Sequence, residues 1–172
     1  MSISTHIVTL EAADKLRRYV PRIRRAPRRR LYMASKAMKD LDNPSSAVNL
    51  LVGKGFIESA LTRWVSGELV YGKTRGRFLD RLKPPPPEIW EIRVTEPVVQ
   101  ARLLGRFAEP DTLILINFHT RSHLGKRGSA GWLTAMSDCV KVWDELFPDN
   151  PPFAGPNIHA YVTENCDAFP IS

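Results

Sequence analysis

Residues 88–118 read EIWEIRVTEPVVQARLLGRFAEPDTLILINF, and their periodicity decides the fold class. In EIWEIRV the period is two: Trp90, Ile92 and Val94 share one face, and Ile89, Glu91 and Arg93 share the other. QARLLGRF repeats the pattern, with Leu103 and Phe107 on one side and Arg102, Leu104 and Arg106 on the other. DTLILINF is apolar on both sides, as an interior strand requires. Turn residues in TEPVV and in EPD at 109–111 separate the three runs. The stretch predicts a three-stranded antiparallel meander with one apolar face and one solvated face that carries arginines.

Outward from it the period changes. Val48, Leu51, Val52, Phe56, Ile57, Ala60, Leu61, Trp64 and Val65 recur at three and four residues and predict helix over the segment after residue 46. Arg75 to Leu82 reads as a short helix with Phe78, Leu79 and Leu82 as its stripe, stopped by KPPPP at 83–87. Ser129 to Phe147 reads as the last helix, with Ser129 as N-cap and Trp132, Met136, Cys139, Val140, Trp143 and Phe147 buried. The tail 148–172 carries prolines and reads as irregular, packed by Phe153, Tyr161 and Phe169. Residues 11–42 read as helical, punctuated by Pro21, Pro27 and Pro44. The expected organisation is a basic helical extension (1–45), an α+β domain (46–147) and a tail (148–172).

The charge of +7 is uneven: residues 1–45 alone carry 11 Lys/Arg against 4 Asp/Glu. A basic half favours an anionic partner such as nucleic acid. Tyr19 and Tyr32, interleaved in KLRRYVPRIRRAPRRRLY, would suit stacking on bases, whereas a solvated or ion-paired face needs no partner at all. No apolar run approaches a membrane span and no signal-type h-region opens the chain, so a cytoplasmic protein without a membrane partner is expected. Cys139 and Cys166 form no disulfide framework, and Cys139 reads as a reduced core residue.

The candidate chemistry lies at the end of the third strand. LILINFHTRSHLGKRG (113–128) runs from buried strand into His119, Arg121, His123, Lys126 and Arg127. Arg93, Arg102 and Arg106 share the polar side of the meander, and Arg121 joins them if the strand continues. Several guanidinium groups on one face repel one another unless an anion or carboxylates lie between them. A cross-strand pair such as Arg102–Glu91 would neutralise part of the site. His119 and His123 add imidazoles able to move a proton in phosphodiester cleavage. At a strand end their four-residue spacing is not expected to place them side by side, and no cysteine or carboxylate cluster completes a metal set, so neither metal nor cofactor is expected.

With these residues, EIWEIRV, ARLLGRF and LILINFHTR in the order helix, helix, strand, strand, strand, helix resemble the RelE/HigB-like toxin superfamily, including its phage-derived Gp49-like members. The resemblance covers about residues 50–147. It implies a RelE-like α+β domain of two helices, a three- to four-stranded antiparallel sheet and a C-terminal helix. It also implies metal-independent mRNA endoribonuclease activity, on the ribosome in many members, under control of an antitoxin protein. Arg102 falls on the family's phosphate-contacting arginine and Arg121 on the basic residue at the scissile phosphate. Arg93 falls on a basic position of the first meander strand. His119 and His123 are the proton-transfer candidates, and Arg93, Arg106, Lys126 and Arg127 the substrate-binding ones. Glu91 stands where the ribonuclease branch is often basic, and no tyrosine follows Arg121 before Trp132. Both departures fit the alternative, a non-catalytic nucleic-acid-binding or protein-docking module of phage or plasmid origin. The family's first strand, ahead of the helices, has HIVTL (6–10) as its candidate.

Overall fold

The computed structural model of the chain describes residues 1–22, 26–72, 76–83, 87–95 and 98–166. In chain order its elements are α1 (Ile3–Ala12), β1 (Leu16–Arg18), β2 (Arg30–Ala34), α2 (Ser35–Asp42), α3 (Ala47–Leu51) and α4 (Lys54–Val65). There follow β3 (Tyr71–Gly72), β4 (Gly76–Arg77), β5 (Leu79–Arg81), β6 (Trp90–Val94), β7 (Ala101–Glu109), β8 (Thr112–Thr120), α5 (Arg121–Leu124), α6 (Ala130–Leu146) and α7 (Ile158–Tyr161). Six strands form one sheet in the order β1-β2-β8-β7-β6-β5, and β3 and β4 make a separate ribbon.

The fold is α+β. The meander expected from 88–118 is its centre, with β6, β7 and β8 antiparallel neighbours. The sheet is wider than the expected three to four antiparallel strands, and it is mixed, because β2 runs parallel to β8. Asp111 makes the β7–β8 turn at φ 57°, a left-handed conformation that aspartate tolerates better than most residues.

Both faces of the sheet are buried. Leu31, Met33, Trp90, Ile92, Leu103, Phe107, Leu113 and Leu115 pack under α2, α3, α4 and α7. Leu16, Tyr32, Leu104, Ile114 and Ile116 pack under α1 and α6. The second face is the one expected to be solvated. It is covered because β8 is apolar on both sides and because the Trp132–Phe147 stripe of α6 needs an apolar surface to lie on. Cys139 sits in this layer with no exposure, and burial pushes its thiol up to about 12.

The basic segment is not a helical extension. Helix ends at Ala12, Leu16–Arg18 and Arg30–Ala34 are strands, and helix resumes only at Ser35. Pro21 and Pro27 forbid a continuous helix, and RLYMA fits a strand buried on both sides: Leu31 and Met33 enter one core, Tyr32 and Ala34 the other. This strand, not HIVTL, precedes the helices; HIVTL lies in α1, where Ser2 caps the helix by accepting from the Thr5 amide at 3.2 Å. Arg29, 3% exposed, ties the segment down by donating to the carbonyls of Glu68 (3.0 Å) and Glu164 (2.6 Å).

One more expectation changes. The helix expected over 75–82 is strand at Leu79–Arg81, because Leu79 faces Ile92 across the β5–β6 ladder and Asp80 faces Glu91; residues 73–75 and 84–86 lie outside the described residues. The tail is irregular as expected apart from the four-residue α7, and Phe153 and Tyr161 pack it against the core. Tyr161 there is fully buried, its ring 4.6 Å from Trp90 and 5.2 Å from Phe107 and Phe153, while Phe169 lies outside the described residues.

Candidate functional site

Cross-strand register places Arg93, Arg102 and His119 in one row across β6, β7 and β8. The next row inward holds Asp80, Glu91, Leu104 and Asn117. Glu91 is completely buried, and this is what gathers the cations. Arg93 Nε donates to it at 2.8 Å, Arg127 Nη2 at 2.7 Å, and Arg102 Nε lies 3.3 Å from its second oxygen. Asp80 accepts from Arg93 and, at 3.2 Å, from Arg127. Arg121 stands alongside, donates to the Gly125 carbonyl and lies 5.7 Å from the Trp132 ring centre, as does Arg127 on the same ring. Burial depresses the Arg102 guanidinium, Glu91 opposes the shift, and Arg93, Arg121 and Arg127 add to it.

Arg93, Arg102 and Arg127 therefore converge around two carboxylates, Asp80 and Glu91. Arg121 lies within electrostatic reach of Arg102 but is held by the Gly125 carbonyl and the Trp132 ring, not by these carboxylates. Arg102 is spent on Glu91, the Ala101 carbonyl (2.9 Å) and the Gln100 side chain (3.1 Å). Arg106 is not part of the group. It lies farther along β7, buried, 5.3 Å over the Trp143 ring and 3.9 Å from Asp144. Lys126 is exposed beside Arg127.

The histidines form a second cluster. β2 pairs β8 only through residues 112–115, so the far end of β8 is free to meet α2 and α3. Thr120 then ends the strand and caps α5, its Oγ1 accepting from the His123 amide at 3.3 Å. The tight turn carries His123 back over His119. The rings stack at 5.7 Å with planes 4° apart, against the expectation that a four-residue spacing at a strand end keeps them separate. They line a cleft of about 630 Å³ with Lys36, Asp40, Ser122 and Leu51. Lys36 Nζ lies 2.9 Å from Asp40. Burial, then Lys36 and His123, hold the His119 imidazole down at about 4, so it is neutral at neutral pH. Its Nε2 is buried without a hydrogen-bond partner among the described residues, while His123 is exposed.

Compared with protein-family models, curated proteins and solved structures, the chain matches none. What it does has to be read from these two clusters.

Three features of the site escaped the sequence reading: Asp80, Lys36 and Trp132 as the ring beneath two arginines. Reading LDR (79–81) at period two would have found Asp80 opposite Glu91. Lys36 and Asp40 have the i,i+4 spacing of a helical ion pair, a signal that only acquires meaning once α2 is known to flank β8. The dense basic stretch contributes little to either cluster. Arg17 pairs with Asp42 (2.7 Å), Arg28 with Glu164 (2.7 Å) and Arg30 with Glu109. Tyr32 is buried and its ring is no platform for bases, while Tyr19 is half-buried with its hydroxyl donating to the Glu58 carbonyl at 3.1 Å. Among the described residues, no three His, Cys, Asp or Glu side chains gather as a metal site, and no helix is long and apolar enough to cross a membrane.

Proposed function

We propose that the chain is an RNA-binding endoribonuclease that cleaves phosphodiester bonds without a metal, at the cleft between α2, α3 and the β8–α5 turn. The observation that carries this reading is the stacked pair His119–His123 on a cleft that also presents Lys36. The 2′-hydroxyl attacks the adjacent phosphorus: the O2′–P bond forms and the P–O5′ bond breaks. One imidazole takes the 2′-hydroxyl proton, and the other, in its protonated form, gives one to the departing O5′. His123 is the ring within reach of solvent. His119 stands behind it, and a bound phosphate would raise its basicity by opposing the depression that Lys36 imposes. Lys36 stabilises charge that develops on the phosphoryl oxygens. Arg121 guides the strand from the side; Arg102, ion-paired and buried, helps through Glu91 and not by touching phosphate.

The test is purified protein with end-labelled single-stranded RNA in excess EDTA. Expected are 2′,3′-cyclic phosphate ends, no cleavage of the 2′-deoxy strand, and a rate reduced about 10²- to 10⁴-fold in His123→Ala. RNA left intact by the wild type removes the reading. The narrower form, an mRNA-cleaving toxin held by an antitoxin, rests on the RelE/HigB resemblance. It requires that induced expression arrest growth and degrade transcripts, and that Arg121→Ala weaken both.

A second reading, a nucleic-acid-binding or protein-docking module without chemistry, draws support from the pairing of Arg102, the position that the resemblance assigns to phosphate contact, with the buried Glu91. It predicts no cut product under the same conditions, with RNA retained only if the module binds nucleic acid.

A further inference from the structure

The turn Arg121–Gly128 separates the histidine cleft from a second hollow, of about 300 Å³, between the end of β5 and the first turns of α6. Its walls are Leu82, Trp132, Leu133 and Met136; its cations are Lys83 and Arg127. This volume is at the lower end of small-ligand pockets (about 300–1,000 Å³) and has room for one ring system, not an extended chain. Apolar walls around a volume of this size accept a ring, and the thioether of Met136 suits an aromatic neighbour. The cations at the rim then need an acidic group on that ring. Among the described residues, the bonds that Arg127 makes to Asp80 and Glu91 both leave from Nη2, so its other nitrogens are not engaged by these carboxylates. A planar fork beside a mobile ammonium matches the several oxygens of a phosphate.

We infer that this hollow is a binding site for an aromatic base carrying a phosphate, with the ring between Trp132, Leu133 and Met136 and the phosphate on Lys83 and Arg127. The inference rests on the RNA-cleaving reading only for the source of the ring, a base flanking the cleaved bond. A free mononucleotide offers the same chemistry.

Titration calorimetry of the full chain tests it, with AMP, UMP, adenosine and inorganic phosphate as separate probes and a six-nucleotide RNA as competitor. A mononucleotide is expected to bind at least tenfold more tightly than adenosine or phosphate alone. Leu133, 58% exposed at the mouth, can be changed without disturbing the core. Leu133→Glu should weaken mononucleotide binding at least tenfold, and Leu133→Lys should leave it equal or tighter, with unchanged circular dichroism in both. Competition by the hexamer identifies a strand as the source, and its absence identifies a free nucleotide; either upholds the site. Mononucleotides that bind no better than phosphate, or a Leu133→Glu variant that binds as the wild type does, overturn it. The RNA-cleavage assay on the same samples keeps the two readings apart. Cleavage without nucleotide binding removes this site alone, and nucleotide binding without cleavage removes the nuclease alone.

Discussion

His119 is the residue on which environment acts most. Its row partners, Arg93 and Arg102, are bonded to carboxylates, whereas it is largely out of water and beside Lys36 and His123, which Asp40 and Asp138 oppose only in part. The folded protein therefore disfavours the imidazolium, and its pKa falls from 6.5 to about 4. Above pH 6.5 both folded and unfolded chains hold it neutral. Between 6.5 and 4 the unfolded chain binds a proton that the folded chain refuses, so stability falls as pH falls through this window and levels off below it. Allowing for the part of the ring that water still screens, the loss is on the order of 2 kcal/mol. Urea unfolding at pH 7.5 and 4.5 checks it. His119→Asn should lose less stability than the wild type over that interval by about this amount, since other groups titrate equally in both. An NMR titration of the His119 ring with its midpoint near 6.5 would contradict the burial argument.

Elements were legible in the sequence where residue types repeat at a fixed period. The meander showed itself because β6 and β7 alternate apolar with charged residues, although the structure buries both faces, and because β8 is a long apolar run between turn signals; α6 showed itself because its apolar stripe recurs at helical spacing. β2 is buried on both sides and flanked by arginines, so it lacks alternation and reads as helix; β5 is three residues long, too short for any period. The stacked histidines depended on one cap, Thr120, which turns the chain where an extended continuation was expected. The β7–β8 ladder also holds a feature that sequence only hints at. Register slips between Leu104 and Gly105, and the strands come so close there that a Cβ at Gly105 would lie 2.2 Å from the Ile114 carbonyl oxygen. That contact is with backbone, so no side chain can swing away. Gly105→Ala is expected to cost about 3 kcal/mol or more by forcing the two central strands apart. Denaturant unfolding measures it; a change below about 0.5 kcal/mol would mean that the bulge yields freely.

At the scale of the molecule, the first 34 residues decide between an appendage and a structural part. Their charge suggested a separate nucleic-acid arm, and charge alone cannot distinguish an arm from a strand whose arginines are tied by Asp42, Glu109 and Glu164. The parallel ladder makes β2 part of the sheet, with Leu31, Tyr32 and Met33 against Leu113, Ile114 and Leu115 at its centre. Deleting residues 1–34 removes α1, β1 and β2 together. It uncovers the edge of β8, the strand with apolar residues on both faces, and strips Ile7, Leu10, Leu16 and Tyr32 from one core and Leu31 and Met33 from the other. Each large side chain contributes roughly 1.5–3 kcal/mol by burial, so the loss is comparable with the whole stability of a domain, about 5–15 kcal/mol. An exposed apolar edge strand also invites pairing between chains. The truncated chain is therefore expected to be insoluble, or to lack a cooperative unfolding transition, where the full chain has one. A soluble, monomeric truncation that unfolds cooperatively would show that β2 is dispensable, and that the basic segment is an arm after all.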